Sequence, residues 1–179
     1  MKENDSTMQY QARVDKGRAR EGRIMEEMRK QGLDIIPAST SDDILRGIDG
    51  YLTLVGHSWS TQIKVRQSAE DLLFVITECG KPGRDMKTQA DLYAFLIQDQ
   101  LYLIKTLEVR KAISDLVELM NRQHQRREGK FRVTYKGVDC ELSTQGDPVS
   151  GNSKLMAFIP ATLFTDVIDP IHTPCRITI

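Results

Sequence analysis

The chain has 179 residues, of which 40% are hydrophobic and 28% are charged, a composition typical of one globular domain that excludes a fibrous or disordered protein. Its 25 basic residues equal its 25 acidic residues, so any contact with nucleic acid requires a local basic patch. No apolar run reaches the roughly 18 residues that a membrane span requires. Three widely spaced cysteines and an N-terminus without a signal peptide predict a cytoplasmic protein with reduced thiols.

The first half of the chain is predicted to contain one long helix followed by strands. A stretch without proline from Gln9 to Gln31 ends at Gly32, a typical C-cap residue, and predicts this helix. Residues 1–8 are polar and expected to be disordered. Four strands follow, and the second and third of them form a hairpin. These strands cover residues 33–37, 48–55, 59–66 and 72–77.

The second half is predicted to alternate hairpins with one more helix. A loop rich in glycine and proline covers residues 79–87, and a helix with an apolar stripe covers residues 107–123. The remaining predicted strands are residues 92–97, 101–104, 130–135, 138–142 and 155–159. No repeat or linker divides the chain, so residues 1–179 are expected to form one domain. The order of elements predicts an α+β or α/β protein with one mixed sheet, and of these we expect α/β, with a central mixed sheet flanked by the two helices.

The predicted hairpin separates polar from apolar side chains. With its turn centred between Gly56 and His57, Asp49 lies opposite Lys64. Alternation along the strand then places Gln62 on the same face as Lys64 and the apolar residues on the other face, which is expected to join the core. A carboxylate, an amide and an ammonium group are therefore brought together at one end of the hairpin.

The first predicted helix carries a carboxylate on its apolar stripe. Val14, Glu21 and Met28 are seven residues apart, so Glu21 lies on the face that is expected to contact the core. A carboxylate in such a position requires a charged partner or a metal ion. An ion pair with Arg18 or Arg20 is one explanation, a short exposed stretch of the stripe is another, and a metal site is the third.

Together, Glu21, Asp49 and the segment from Gln62 to Lys64 resemble the PD-(D/E)XK nuclease superfamily. In that superfamily a Glu on a helix and an Asp on a strand are followed by an acidic residue or Gln, and a Lys stands two positions after that residue. Residues 16–32 are similar to the first helix of archaeal Holliday junction resolvases, and residues 48–50 and 62–66 are similar to Mrr-type restriction enzymes. The resemblance implies a restriction-endonuclease-like fold. It also implies DNA cleavage that depends on Mg²⁺ or Mn²⁺, and a possible homodimer.

The resemblance also implies a role for each residue. Asp49 would be the main metal ligand, Glu21 would add a second carboxylate, and Gln62 would add an amide oxygen. Lys64 would orient the attacking water and stabilise developing charge. Because Gln62 is uncharged, weaker metal binding is expected. A weak or inactive protein on the same fold that binds DNA or a protein partner is therefore the alternative, and an accidental resemblance in a structural or regulatory protein is a third hypothesis.

Two basic clusters favour contact with duplex or branched DNA. The first lies on the first predicted helix and includes Arg18 and Arg20. The second surrounds the end of the second helix and includes Arg126, Arg127 and Lys130. Phosphate contacts of this kind would position DNA without reading its sequence. Ordinary solvated surface is the competing explanation for both clusters.

Overall fold

The structure is a computed structural model that describes residues 3–30, 32–54, 56–66, 71–97, 100–122, 129–146, 153–165 and 177–178. The helices in this part of the chain are α1 (Glu3–Lys30), α2 (Thr40–Arg46), α3 (Arg84–Lys87), α4 (Thr106–Arg122) and α5 (Thr162–Thr165). The strands are β1 (Asp34–Pro37), β2 (Gly50–Leu54), β3 (His57–Arg66), β4 (Asp71–Glu78), β5 (Lys81–Pro82), β6 (Leu92–Ile97), β7 (Gln100–Lys105), β8 (Gly129–Tyr135), β9 (Val138–Gln145), β10 (Lys154–Pro160) and β11 (Ile177–Thr178).

The strands form two sheets. The first sheet has the order β1-β2-β3-β6-β7-β11 and is mixed, because β3 and β6 are parallel while the other neighbours are antiparallel. The second sheet is antiparallel and has the order β5-β4-β10-β9-β8. The predicted α/β class is confirmed, whereas the expectation of one sheet is wrong. Strand β4 follows β3 in the chain but pairs with β5 and β10. The apolar pattern of β4 does not predict which strands it pairs with.

Each face of the first sheet has its own apolar core. On one face, Ile24, Met25 and Met28 of α1 pack with alternating residues of β2, β3 and β6. On the other face, Tyr93 and Phe95 of β6 pack against the second sheet and α4. The ring of Phe74 in β4 contacts both of these rings edge-on, with centroids 5.4 and 5.2 Å away. The first sheet is therefore a central layer, with α1 on one side and α4 with the second sheet on the other.

The first helix ends as predicted but begins earlier. Gly32 has a φ of 82°, its N–H donates to the Arg29 carbonyl at 2.9 Å, and the Leu33 N–H donates to the Met28 carbonyl at 3.0 Å. These two bonds form a Schellman motif, which confirms the predicted C-cap. At its other end, α1 already includes residues 3–8, which were expected to be disordered. No proline or glycine interrupts these residues, so the helix continues through them.

The hairpin formed by β2 and β3 keeps the predicted faces but has a different register. Gly50 pairs with Thr61 and Leu52 pairs with Trp59, because the turn lies between Leu54 and His57 and its centre is one residue earlier than predicted. Moving the turn centre by one residue moves the register by two. The prediction that Asp49 lies opposite Lys64 is therefore wrong. Extending the observed register by one residue places Asp49 beside Gln62, and an even shift leaves every side chain on its predicted face.

None of the helices in the described part of the chain combines the length and the apolar character needed to cross a membrane.

Candidate functional site

A cavity of about 530 Å³ lies where α1, α2 and α3 meet strands β3 and β4. All four predicted site residues line it, namely Glu21, Asp49, Gln62 and Lys64. Alternation along β3 explains part of this convergence, because Ile63 is buried against α1 while its two neighbours face the opposite side of the sheet. The structure thus brings together residues from a helix, a strand entrance and the next strand.

Glu21 enters the cavity from the apolar stripe of α1. Ile24, Met25 and Met28 continue that stripe and are buried. Within the described residues Glu21 forms no ion pair, and Arg18 instead binds Asp43 with an N–O distance of 3.3 Å. Burial raises the pKa of the Glu21 carboxyl, and the nearby Asp43 carboxylate raises it further. The ion-pair explanation for Glu21 is therefore not realised in this part of the chain.

Asp49 immediately precedes β2 and is attached to β3 by a hydrogen bond. The Ile63 N–H donates to Asp49 Oδ2 at 2.6 Å, which fixes the carboxylate against the strand that carries the other site residues. Burial raises the pKa of Asp49 to about 7, although the Ile63 N–H opposes this shift; the charges of Glu21 and Asp43 raise the pKa further. Near neutral pH this carboxyl is therefore poised between its two protonation states.

Gln62 has a buried amide oxygen without a hydrogen-bond partner in the described part of the chain. Leaving a buried carbonyl oxygen without a donor costs about 1 to 3 kcal/mol, so a cation or water is the expected neighbour. The described residues contain no group of three or more His, Cys, Asp and Glu side chains placed to hold a metal. A hard cation here would need this amide oxygen besides the two carboxylates, and all three are oxygen donors of the type that Mg²⁺ prefers.

Lys64 is held inside the cavity by a buried partner. Only 13% of its side chain is exposed, and its ammonium group forms an ion pair with Asp85, whose side chain is 1% exposed. Asp85 is fixed in turn, because its Oδ2 accepts from the Val75 N–H at 2.6 Å and its carbonyl accepts from the Tyr93 hydroxyl at 2.7 Å. Burial lowers the pKa of Lys64, and the Asp85 carboxylate opposes that shift.

Sequence analysis missed Asp85 because it lies in the predicted loop of residues 79–87. This segment contains α3, and its glycine and proline content predicts turns without assigning a role to any side chain. The signal that identifies Asp85 is its contact with β3 across the fold, which no spacing in the sequence reveals. Arg84 and Lys87, which also line the cavity, were missed for the same reason.

The structure separates the residues predicted to bind DNA. Arg20 lines the cavity, and Arg18 is paired with Asp43 beside it. Lys130 lies on β8 and forms an ion pair with Glu141 at 2.9 Å. Three strand spacings separate β8 from β4, which borders the cavity, so β8 lies roughly 14 Å from β4 across the sheet. Arg126 and Arg127 lie outside the described residues.

Comparison of the chain with protein-family models, with curated proteins and with solved structures gives no significant match. A functional assignment must therefore come from the chemistry of the cavity.

Proposed function

We propose that the chain is a metal-dependent DNA endonuclease of the PD-(D/E)XK type with a restriction-endonuclease-like fold. The observation that carries the proposal is the convergence of two desolvated carboxylates, an unpartnered amide oxygen and a buried lysine in one cavity. These residue types occur in the order that the superfamily pattern requires. Cys79 and Cys140 are free thiols, which supports a cytoplasmic location.

In this proposal Glu21, Asp49 and Gln62 hold a Mg²⁺ or Mn²⁺ ion. The ion supplies charge neutralisation at the phosphate and lowers the pKa of a water molecule. Asp49 must lose its proton to bind the ion, so metal affinity rises as the pH rises towards 7. The hydrogen bond from the Ile63 N–H keeps the Asp49 carboxylate in place during this change.

Lys64 provides the positive charge beside the reacting phosphate. The Lys64 side chain is only 13% exposed, and a fixed ammonium group shielded from water stabilises negative charge that develops on phosphate oxygens. Burial lowers the pKa of Lys64, and the ion pair with Asp85 opposes that shift and so favours the charged form.

Cleavage assays on plasmid, linear and branched DNA test this proposal. The purified chain is expected to cut DNA with Mg²⁺ or Mn²⁺, and Asp49→Ala or Lys64→Ala is expected to abolish cutting. Asp139→Asn and Lys136→Ala are matched controls on the second sheet, and both residues are exposed away from the cavity. DNA left uncut in both metals would reject the endonuclease.

A second candidate is a catalytically weak or inactive protein on the same fold that binds DNA or a protein partner. Two observations favour it: Gln62 brings no negative charge to the site, and Lys64 already has a buried counter-charge in Asp85. This candidate predicts Ca²⁺-supported DNA binding without cleavage in any metal. Cleavage that Asp49→Ala abolishes would exclude it.

A further inference from the structure

Unpaired basic side chains from α1 and α3 line the cavity. Arg20, Arg84 and Lys87 all line it, and within the described residues none of them forms an ion pair. Lys105 and Lys111 also form no ion pair there, but they do not line the cavity. We call Arg20, Arg84 and Lys87 the basic wall, and its unpaired charges suit an anionic ligand.

The basic wall shares the cavity with the proposed reaction centre. Arg84 lines the same cavity as Glu21 and Lys64. An anion held by Arg84 would therefore lie close to the proposed reaction centre. A phosphate group is the anion that matches the proposed chemistry, since arginine presents several N–H donors to phosphate oxygens.

An apolar surface borders the mouth of the cavity. Ile44 and Leu45 on α2 are 69% and 75% exposed, and both line the cavity. None of the residues of α2 is buried, so this helix contributes no side chain to either core. The only other large hydrophobic residues that are exposed in the described part of the chain, Ile36 and Leu107, do not line the cavity. We call Ile44 and Leu45 the apolar lip.

We propose that the mouth of the cavity binds a nucleic-acid strand with unpaired bases, with its phosphates on the basic wall and a base face on the apolar lip. This inference rests on the proposed function and names the substrate class. In a regular duplex the base faces are stacked, and only the backbone and the groove edges are accessible. A strand with unpaired bases offers both surfaces at once, and isoleucine and leucine are among the side chains that pack against unstacked bases.

Fluorescence anisotropy with labelled single-stranded and duplex DNA of the same sequence tests this inference. The full chain is used with Ca²⁺, so that binding is measured without cleavage. The single strand is expected to bind more tightly than the duplex. The variant Arg84→Ala/Lys87→Ala should lower the slope of log affinity against log salt by about 0.7 for each lost contact. The control Lys105→Ala/Lys111→Ala removes two exposed cations that do not line the cavity and should leave the slope unchanged.

The apolar lip has its own variant and control. Ile44→Ser/Leu45→Ser should weaken single-strand binding by at least about fivefold while leaving the salt slope and duplex binding unchanged. Ile36→Ser/Leu107→Ser removes two equally exposed apolar residues away from the cavity and should have no effect. Thermal unfolding of each variant shows whether α2 and α3 remain folded.

Three results would overturn the inference. One is equal affinity for single strand and duplex, and another is a salt slope that responds to the control variant but not to the basic wall. The third is a lip variant that loses binding to phosphatidylserine vesicles and keeps single-strand binding, which would assign the mouth to a membrane surface. A chain that binds single strands through these residues but cuts no DNA would refute the proposed function and leave this inference standing. Cleavage of duplex and single-stranded DNA without any preference would refute this inference and leave the proposed function standing.

Discussion

Replacing Asp49 by Asn should make the metal-free protein more stable at alkaline pH while removing its metal site. The Asn side chain keeps an oxygen that accepts the hydrogen bond from the Ile63 N–H, so the local geometry is retained. It removes a carboxylate whose pKa is raised from its ordinary value of 3.8 to about 7, mainly by burial. The wild-type chain therefore carries a desolvated charge above pH 7 that the variant lacks.

The size and sign of this effect follow from proton linkage. Between about pH 4 and pH 7 the folded wild type binds a proton that the unfolded chain has already released, so its stability falls as the pH rises through this window. About three pH units separate the two pKa values, and each is worth about 1.4 kcal/mol, which sets a ceiling of about 4 kcal/mol. Because Asp49 is not fully buried and water screens part of its charge, we expect Asp49→Asn to gain about 1 to 3 kcal/mol at pH 8 and little at pH 4.

Urea unfolding in EDTA at several pH values measures this difference. Asp139→Asn is the control, because Asp139 is an exposed carboxylate on β9 that accepts a hydrogen bond from Thr134 at 2.7 Å. Adding Mg²⁺ should stabilise the wild type and leave Asp49→Asn unchanged, since a ligand stabilises only the state that binds it. If Asp49→Asn is less stable than the wild type at pH 8, or if the gap is the same at both ends of the pH range, the assignment of Asp49 as a desolvated metal ligand is refuted.

Three further predictions concern Gln62, the ion pair between Lys64 and Asp85, and the start of α3. Gln62→Glu adds a charged oxygen to the site and should tighten Mg²⁺ binding in calorimetry, with cleavage kept or raised; unchanged affinity would place Gln62 away from the ion. Asp85→Asn leaves the Lys64 ammonium without its buried counter-charge, so the free energy of unfolding should fall by about 3 to 5 kcal/mol in urea titrations. Adding Lys64→Met to Asp85→Asn should recover part of that loss, and no recovery would mean that the ion pair is not the cause. Gly83→Ala would place a Cβ 2.2 Å from the Val75 carbonyl oxygen and should shift α3 and lower the melting temperature, whereas Gly22→Ala, with nothing within 4 Å, should leave it unchanged or raise it.

The hairpin shows why the sequence placed Gln62 and Lys64 on one face although it misplaced the pairing. Strand alternation has a period of two, so the predicted turn position could be wrong by one residue without moving Gln62 or Lys64 to the other face. The helical period of α1 likewise placed Glu21 on the stripe of Met28. Local periodicity was therefore sufficient for the residues that lie on regular elements.

Non-local contacts explain what the sequence did not reveal. Nothing in the apolar pattern of β4 shows that it joins β10 and starts a second sheet. The segment with Asp85 has no period from which its contact with Lys64 could be read. A count of positive charges also does not show which of them form ion pairs, as Lys130 does with Glu141.

Two carboxylates outside the cavity, one partly exposed and one exposed, accept several hydrogen bonds each. Asp42 accepts hydrogen bonds from Ser39, Arg46 and Tyr51 at 2.9 to 3.0 Å, and these bonds lower its pKa. Asp91 accepts two hydrogen bonds from Ser60, at 2.6 and 3.0 Å.

The carboxylates of the cavity differ from these two in their hydrogen bonds and in the direction of their pKa shifts. Asp49 has one backbone donor, the pKa values of both Asp49 and Glu21 are raised by desolvation, and the amide oxygen of Gln62 has no partner in the described part of the chain. Two desolvated carboxylates and an unpartnered amide oxygen thus lie in one cavity, whereas the other buried polar atoms without a partner in the described residues, Thr106 Oγ1 and Arg110 Nε, lie outside it. A cation coordinated by the cavity oxygens would satisfy these three groups together.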